Sequence, residues 1–195
     1  MAEELTLDPA TTALVLIDLQ GGIVARATEP YPAREVVARA ARLAQAFRAA
    51  GATVILVRVT PSADGRDALR PRTDVAPPAW SGPRPPDFAT IDPALGPEPG
   101  DLLITKRQWG AFHGTELDLQ LRRRGIRAIV LGGISTERGV ESTARAAYEH
   151  AYKLVLVEDA CAAGSAADHR HSMTRIFSQI GLVRTAEQVL AALEG

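Results

Sequence analysis

Cysteine is almost missing from this sequence: Cys161 is the single one in 195 residues. That excludes an internal disulfide framework and is consistent with a reducing cytoplasm. No leader is expected either. The opening MAEELTLDPATT is acidic where a secretory signal would be basic, and the first apolar run, 13–19, is too short to span a bilayer. A cytoplasmic chain with no membrane partner is therefore expected. No basic face stands out either: 22 Lys and Arg balance 23 Asp and Glu, for a net charge of −1. The cations are scattered through amphipathic segments, as at 122–124, so nucleic acid is not an expected partner. Heavy use of Ala, Arg, Gly and Pro suggests a GC-rich bacterial genome.

What is present is an alternation of two patterns. Five β-rich runs, at 14–19, 53–59, 102–105, 128–132 and 153–157, are continuously apolar, as strands covered on both faces should be. Between and after them lie helical patterns at 34–50, 115–124, 139–150, 165–180 and 186–193. The first of these repeats Val36, Val37, Ala40, Leu43, Ala44 and Phe47 at helical spacing and stops at Gly51. Alternating strands and helices imply right-handed βαβ units. The expected fold is a single α/β domain over 1–195: three layers, α/β/α, around an open six-stranded, mostly parallel sheet in the order 3-2-1-4-5-6. Ligands of such sheets bind beyond the carboxyl ends of the strands, at the switch point between the first and fourth. Residues from Asp18, Thr60, Lys106 and Gly133 onward are therefore where chemistry is sought.

The stretch 71–99 interrupts the alternation, holding nine of the 13 prolines without sustained periodicity. It reads as a long loop, with Trp80 and Phe88 as apolar anchors. Either it folds over a pocket or it packs against a neighbouring subunit.

Three elements in the crevice carry chemistry. Asp18 ends the apolar run ALVLIDLQ, and partial burial there would raise its pKa and suit it to proton transfer. Lys106 follows LLIT in the corresponding position, as a cation to hold that carboxylate; a purely structural pair is the alternative. The third is GGISTERGVESTARAAY, a strand leading through a tight turn to a helix that starts around Gly139, where free backbone N–H groups suit an anion. Arg138 suits a substrate carboxylate, with solvent or a subunit interface as the alternative for it and Glu137. Trp109 and Phe112 line the pocket or pack in the core. Cys161 reads as a small buried thiol rather than a replacement nucleophile. His169 and His171, two apart, share no helix face and make no metal pair; His169 reads as a helix or interface residue, and His113 and His150 take no assignment.

Together, TTALVLIDLQGGI, LLITKRQWGAFHGTELDLQLRRRGI and IVLGGISTERGVESTARAAYEHAYKLVLVEDACAA resemble the isochorismatase-like, or cysteine hydrolase, family over nearly the whole length. The resemblance implies a catalytic set of Asp18, Lys106 and the residue at 139. It also implies a cis peptide between Ile134 and Ser135, and a homo-oligomer to which an apolar helix at 144–148 contributes. Family members carry a cysteine in the pattern G-[IV]-[AS]-T-x-x-C-V-x-x-T-A, and the amidases among them form a thioester through it. Here that position is Gly139. The nicotinamidase branch has an Asp and His metal cluster after the second strand, whereas RVTPSADGRDALR has Asp64 and no histidine. No metal and no cofactor are expected.

Isochorismatases proper resemble this chain in having glycine at that position, and in them the Asp is a general acid that protonates an enolpyruvyl vinyl ether. They carry histidine in the turn, where this chain has Ser135, Thr136, Glu137 and Arg138, closer to a bacterial branch with an ISTxxGVEST signature. The leading expectation is a hydrolase of a small carboxylated metabolite without a cysteine nucleophile, with Ile134, Ser135, Arg138, Trp109 and Phe112 binding substrate. The alternatives are a non-catalytic small-molecule binder or scaffold, and hydrolysis through Cys161.

Overall fold

The apolar run TALVLI forms β1 (Thr12–Ile17), and all six of its residues are buried. The computed structural model describes residues 5–75 and 85–194. The other strands are β2 (Thr53–Val59), β3 (Leu102–Lys106), β4 (Ala128–Ile134), β5 (Lys153–Ala162) and β6 (Leu182–Arg184). They form one sheet in the order β3-β2-β1-β4-β5-β6. Every pairing is parallel, so the sheet is wholly rather than mostly so. The helices are α1 (Gly21–Val24), α2 (Ala33–Ala49), α3 (Leu117–Arg123), α4 (Glu141–Glu149), α5 (Ala166–His171), α6 (Ser178–Ile180) and α7 (Ala186–Glu194).

Alternation along β1 builds the two faces. Leu14 and Leu16 join Leu43 and Phe47 of α2 and Val189 of α7 in one apolar cluster. Ala13, Val15 and Ile17 join Leu121 of α3, Ala144 of α4 and Phe177 in the other. A strand covered on both faces cannot alternate in polarity, which is why it reads as an unbroken apolar run. Close approach to backbone matters at Gly133 (φ 136°), which sits beside β1, where a Cβ would lie 2.2 Å from the Ile17 carbonyl oxygen.

Several boundaries differ from the sequence reading. β5 continues through Ala162, so Cys161 lies inside a strand rather than after it. The three-residue β6 carries no apolar run long enough to mark it. The helical run at 139–150 begins earlier, in a π-helical turn, Thr136–Val140, and the run at 165–180 has a π-helical middle, Ser172–Phe177. In the proline-rich stretch, Asp92 caps a short 3-10 turn, Pro93–Leu95. Phe88 is buried against Gly22, where a Cβ would meet its ring at 2.0 Å. Trp80 lies outside the described residues. In the 144–148 run, Ala144 and Ala147 are buried in the core and Tyr148 is exposed. Among the described residues, no helix is long and apolar enough to cross a membrane.

Candidate active site

Asp18 is the first residue beyond β1, in the left-handed region at φ 55°, which few residues other than glycine adopt. Its N–H donates to the Val57 carbonyl of β2 at 2.8 Å, fixing it at the carboxyl end of β1. Lys106 closes β3 and is 1% exposed. Its Nζ donates to Asp18 Oδ2 at 2.7 Å, to the Trp109 carbonyl at 2.6 Å and to the Gln108 carbonyl at 3.2 Å. Three acceptors match the three protons of an ammonium, so the cation is fully satisfied without water.

Asp18 is not satisfied: its Oδ1 is buried with no hydrogen-bond partner. Burial pushes its pKa up from 3.8 to about 6, against the opposing pull of Lys106. Desolvation wins because a single ammonium bond reaches only one of the two oxygens.

Gly139 lies in the π-helical turn, with Val140 N–H donating to the Ser135 carbonyl at 3.2 Å. A Cβ on Gly139 would come within 2.9 Å of Ile17 Cγ2, 3.2 Å of Asp18 Oδ2 and 3.5 Å of Lys106 Nζ. The ion pair thus occupies the space beside the turn. Thr143 holds that turn from behind, its hydroxyl donating to the Gly139 carbonyl at 2.6 Å and accepting from Ala111 N–H at 3.1 Å. The peptide between Ile134 and Ser135 is cis.

These groups open on a cavity of about 340 Å³. One wall is Asp18, Ile23 and residues 26–28, and another is Lys106 to Trp109. Ile134, Ser135, Glu137, Arg138 and Gly139 form a third, with Phe88, Thr60 and Leu69 completing the enclosure. Among the described residues, three side-chain atoms are buried without a partner: Asp18 Oδ1, Glu137 Oε2 and Arg107 Nη1. All three belong to residues of this cavity. Buried polar groups are rarely left unpaired, and their concentration here marks the cavity as built for polar chemistry.

The cavity therefore brings together Asp18, Lys106, Gly139, Ile134, Ser135, Arg138 and Trp109. Glu137 and Arg138 both line it, Glu137 half-buried and Arg138 still exposed to solvent, with Arg138 Nε 3.4 Å from Glu137 Oε1 and its guanidinium 5.8 Å from the centre of the Trp109 ring. Phe112 is not in it. That ring is buried and stacks on His150 at 5.1 Å, beside Tyr152 at 6.0 Å, because the chain turns inward at Ala111. His169 is buried rather than at a surface. Cys161 is also fully buried, and burial pushes its thiol up to about 12, far from the thiolate a nucleophile needs. Among the described residues, no group of three or more His, Cys, Asp or Glu is arranged to hold a metal ion.

Sequence reasoning missed several residues. Gln20 is fully buried and pairs with β2 like an extra strand residue, accepting from Val59 N–H at 2.7 Å and donating to its carbonyl at 3.0 Å. It also donates to the Phe88 carbonyl at 2.8 Å, drawing the proline-rich segment over the site. Its polarity at the end of ALVLIDLQ was the available signal. Arg26, Thr28 and Arg107 also line the cavity, and only Arg107, beside Lys106, had a position that drew notice to it.

The family model for the isochorismatase domain matches residues 12–188. The isochorismatase family protein YecD of Escherichia coli O157:H7 is 52% identical over 189 residues, covering 97% of this chain and 100% of its own. The ureidoacrylate amidohydrolase RutB of Methylobacterium radiotolerans is 33% identical, covering 98% of this chain and 83% of its own. Among solved structures, an isochorismatase family protein from Burkholderia thailandensis superposes with a TM-score of 0.93 at 50% identity, over 99% of this chain and 100% of that one.

Proposed function

The chain belongs to the isochorismatase family of hydrolases, and from that premise we propose that it hydrolyses the enolpyruvyl ether of a small carboxylated metabolite by acid catalysis, without a covalent intermediate. The observation that carries this reading is Asp18 itself: buried, half unpartnered, and with a pKa raised to about 6, it keeps its proton at a pH where an ordinary carboxyl has lost it. In the amidase branch a sulfur would stand at position 139. Here that position has no side chain, and the chain's single cysteine is buried in β5.

The Asp18 carboxyl gives its proton to the terminal CH2 carbon of the vinyl ether, which becomes a methyl group, and the ether carbon becomes an oxocarbenium ion. Water adds to that carbon, and its released proton returns to the carboxylate. The resulting hemiketal then collapses to pyruvate and the free alcohol. Lys106 holds the carboxyl in place and stabilises the carboxylate left after transfer, since its ammonium stays 2.7 Å away. Arg138, beside Trp109 at the cavity, takes a substrate carboxylate, and the turn at 134–139 supplies backbone hydrogen bonds. The chain acts as one domain, and we expect it to form a homo-oligomer.

The test is incubation with isochorismate and assay of pyruvate. Release by the wild type that Asp18→Asn abolishes supports the reading. Equal rates in the two contradict it, and ligand-dependent thermal stabilisation of both proteins without turnover would favour a binding protein instead.

A further inference from the structure

Behind the cavity runs a polar chain, buried at Thr136 and His169 and half-buried at Glu158, Tyr31 and Thr28, that the chemistry above does not use. Within 134–139, Thr136 alone does not line the cavity. Fully buried, its hydroxyl lies 3.0 Å from Nδ1 of His169. On the other side of that ring, Nε2 lies 3.2 Å from Glu158 Oε1. Both Glu158 oxygens accept from the Tyr31 hydroxyl at 3.0 Å, and the Tyr31 backbone carbonyl accepts from the Thr28 hydroxyl at 2.8 Å. Thr28 lines the cavity. The chain Thr136, His169, Glu158, Tyr31 and Thr28 thus joins two walls of the site from behind.

The chemistry of each link fixes its direction. A carboxylate only accepts, so Nε2 of His169 carries a proton toward Glu158, and in the neutral ring Nδ1 is left to accept from the Thr136 hydroxyl. The ring is held in that pose by an edge-on contact with Tyr31, centroids 6.1 Å apart at 87°. Arg39 backs the Tyr31 ring from α2, 4.8 Å from its centre. Each donor in the chain has an acceptor, so displacing either end leaves a buried polar group unpaired.

We propose that His169 is a positioning residue. Through Thr136 it sets the turn that carries Ser135, Glu137, Arg138 and Gly139, and through Glu158 and Tyr31 it keeps that turn in register with the wall at 26–28. The turn passes so close to the Asp18–Lys106 pair at Gly139 that a small displacement changes the space in which proton transfer occurs.

The test reads backbone amide resonances of isotope-labelled full-length protein. Tyr31→Phe removes one hydroxyl from a half-buried ring and keeps the fold. It is expected to shift amides of the turn at 135–139, at the far end of the chain. Thr136→Val is expected to shift amides at 26–28, while Thr136→Ser, which keeps the hydroxyl, leaves them at wild-type positions. Changes confined to the neighbours of each substituted residue, or Thr136→Ser behaving like Thr136→Val, overturn the proposal. A second arm rests on the vinyl ether reading: pyruvate release from isochorismate is expected to fall about tenfold or more in kcat for His169→Gln and Thr136→Val, with KM nearly unchanged and Thr136→Ser close to wild type. Wild-type activity with His169→Gln and Thr136→Val unaffected overturns the proposal. A wild type that releases no pyruvate counts against the vinyl ether reading alone, since the resonances report the two walls without turnover.

Discussion

Asp18 and Lys106 are each costly to bury, and each offsets part of the other's cost. The balance is uneven: Lys106 has three acceptors, while Asp18 has one partnered oxygen and one bare one. The carboxyl is therefore the group whose charge gives way, and its pKa rises to about 6. A general acid works in its protonated form, so kcat/KM is expected to be flat at low pH and to fall about tenfold per pH unit once the pH exceeds about 6. A pH–rate profile measures this, and activity rising through the same range would contradict it. Lys106→Met removes both the charge and the hydrogen bond by which Lys106 lowers that pKa. The break in the profile should move to higher pH, and the protein should lose roughly 3 kcal/mol of stability in chemical denaturation because a buried partner is left alone.

In the proposed reaction, the element that separates acid catalysis from a cysteine route is the π-helical turn. At Gly139 it passes Ile17, a β-branched and fully buried residue whose Cγ2 would be 2.9 Å from an added Cβ. Such a side chain has little rotamer freedom with which to yield. Gly139→Ala is expected to cost about 1–3 kcal/mol of stability and to lower turnover by crowding the ion pair. By the same crowding, Gly139→Cys should not gain amide hydrolysis, as ammonia release from ureido or carbamoyl compounds would show.

Much of this was legible in the amino-acid sequence. Asp18, Lys106 and the turn at 134–139 each stand at the carboxyl end of an apolar run, and a parallel sheet with a known switch point brings such ends together. For Phe112 the core alternative holds rather than substrate binding, a choice set by a distant bond, from Ala111 N–H to Thr143, that no local pattern announces. His169 read as a helix or interface residue and does lie in α5, but its burial was not legible because its partners, Thr136 and Glu158, lie 33 and 11 positions away in sequence. The strand β6, three half-buried residues, is too short to show a period. Gln20 was visible but unread, since a polar side chain that completes a sheet pairing looks like an ordinary strand end.

On the scale of the whole molecule, charge is nearly neutral while the cavity is not. The chain carries a net −1, yet the cavity is lined by Arg26, Lys106, Arg107 and Arg138 against Asp18 and Glu137. Low-dielectric walls focus such a field and draw anions from solution. For a carboxylated substrate, kcat/KM is expected to fall several-fold as ionic strength rises from about 0.01 to 0.15 M, with kcat nearly constant. An uncharged ester of the same substrate should show no such dependence.

Proton transfer to carbon leaves a mark that no thioester route leaves. Turnover of isochorismate in heavy water, followed at early times by mass spectrometry, is expected to give pyruvate with one deuterium in its methyl group, at a rate reduced by the heavier proton and at least about a hundredfold slower in Asp18→Asn. Turnover undiminished in Asp18→Asn, or pyruvate formed without deuterium, would contradict the assignment of Asp18 as the acid.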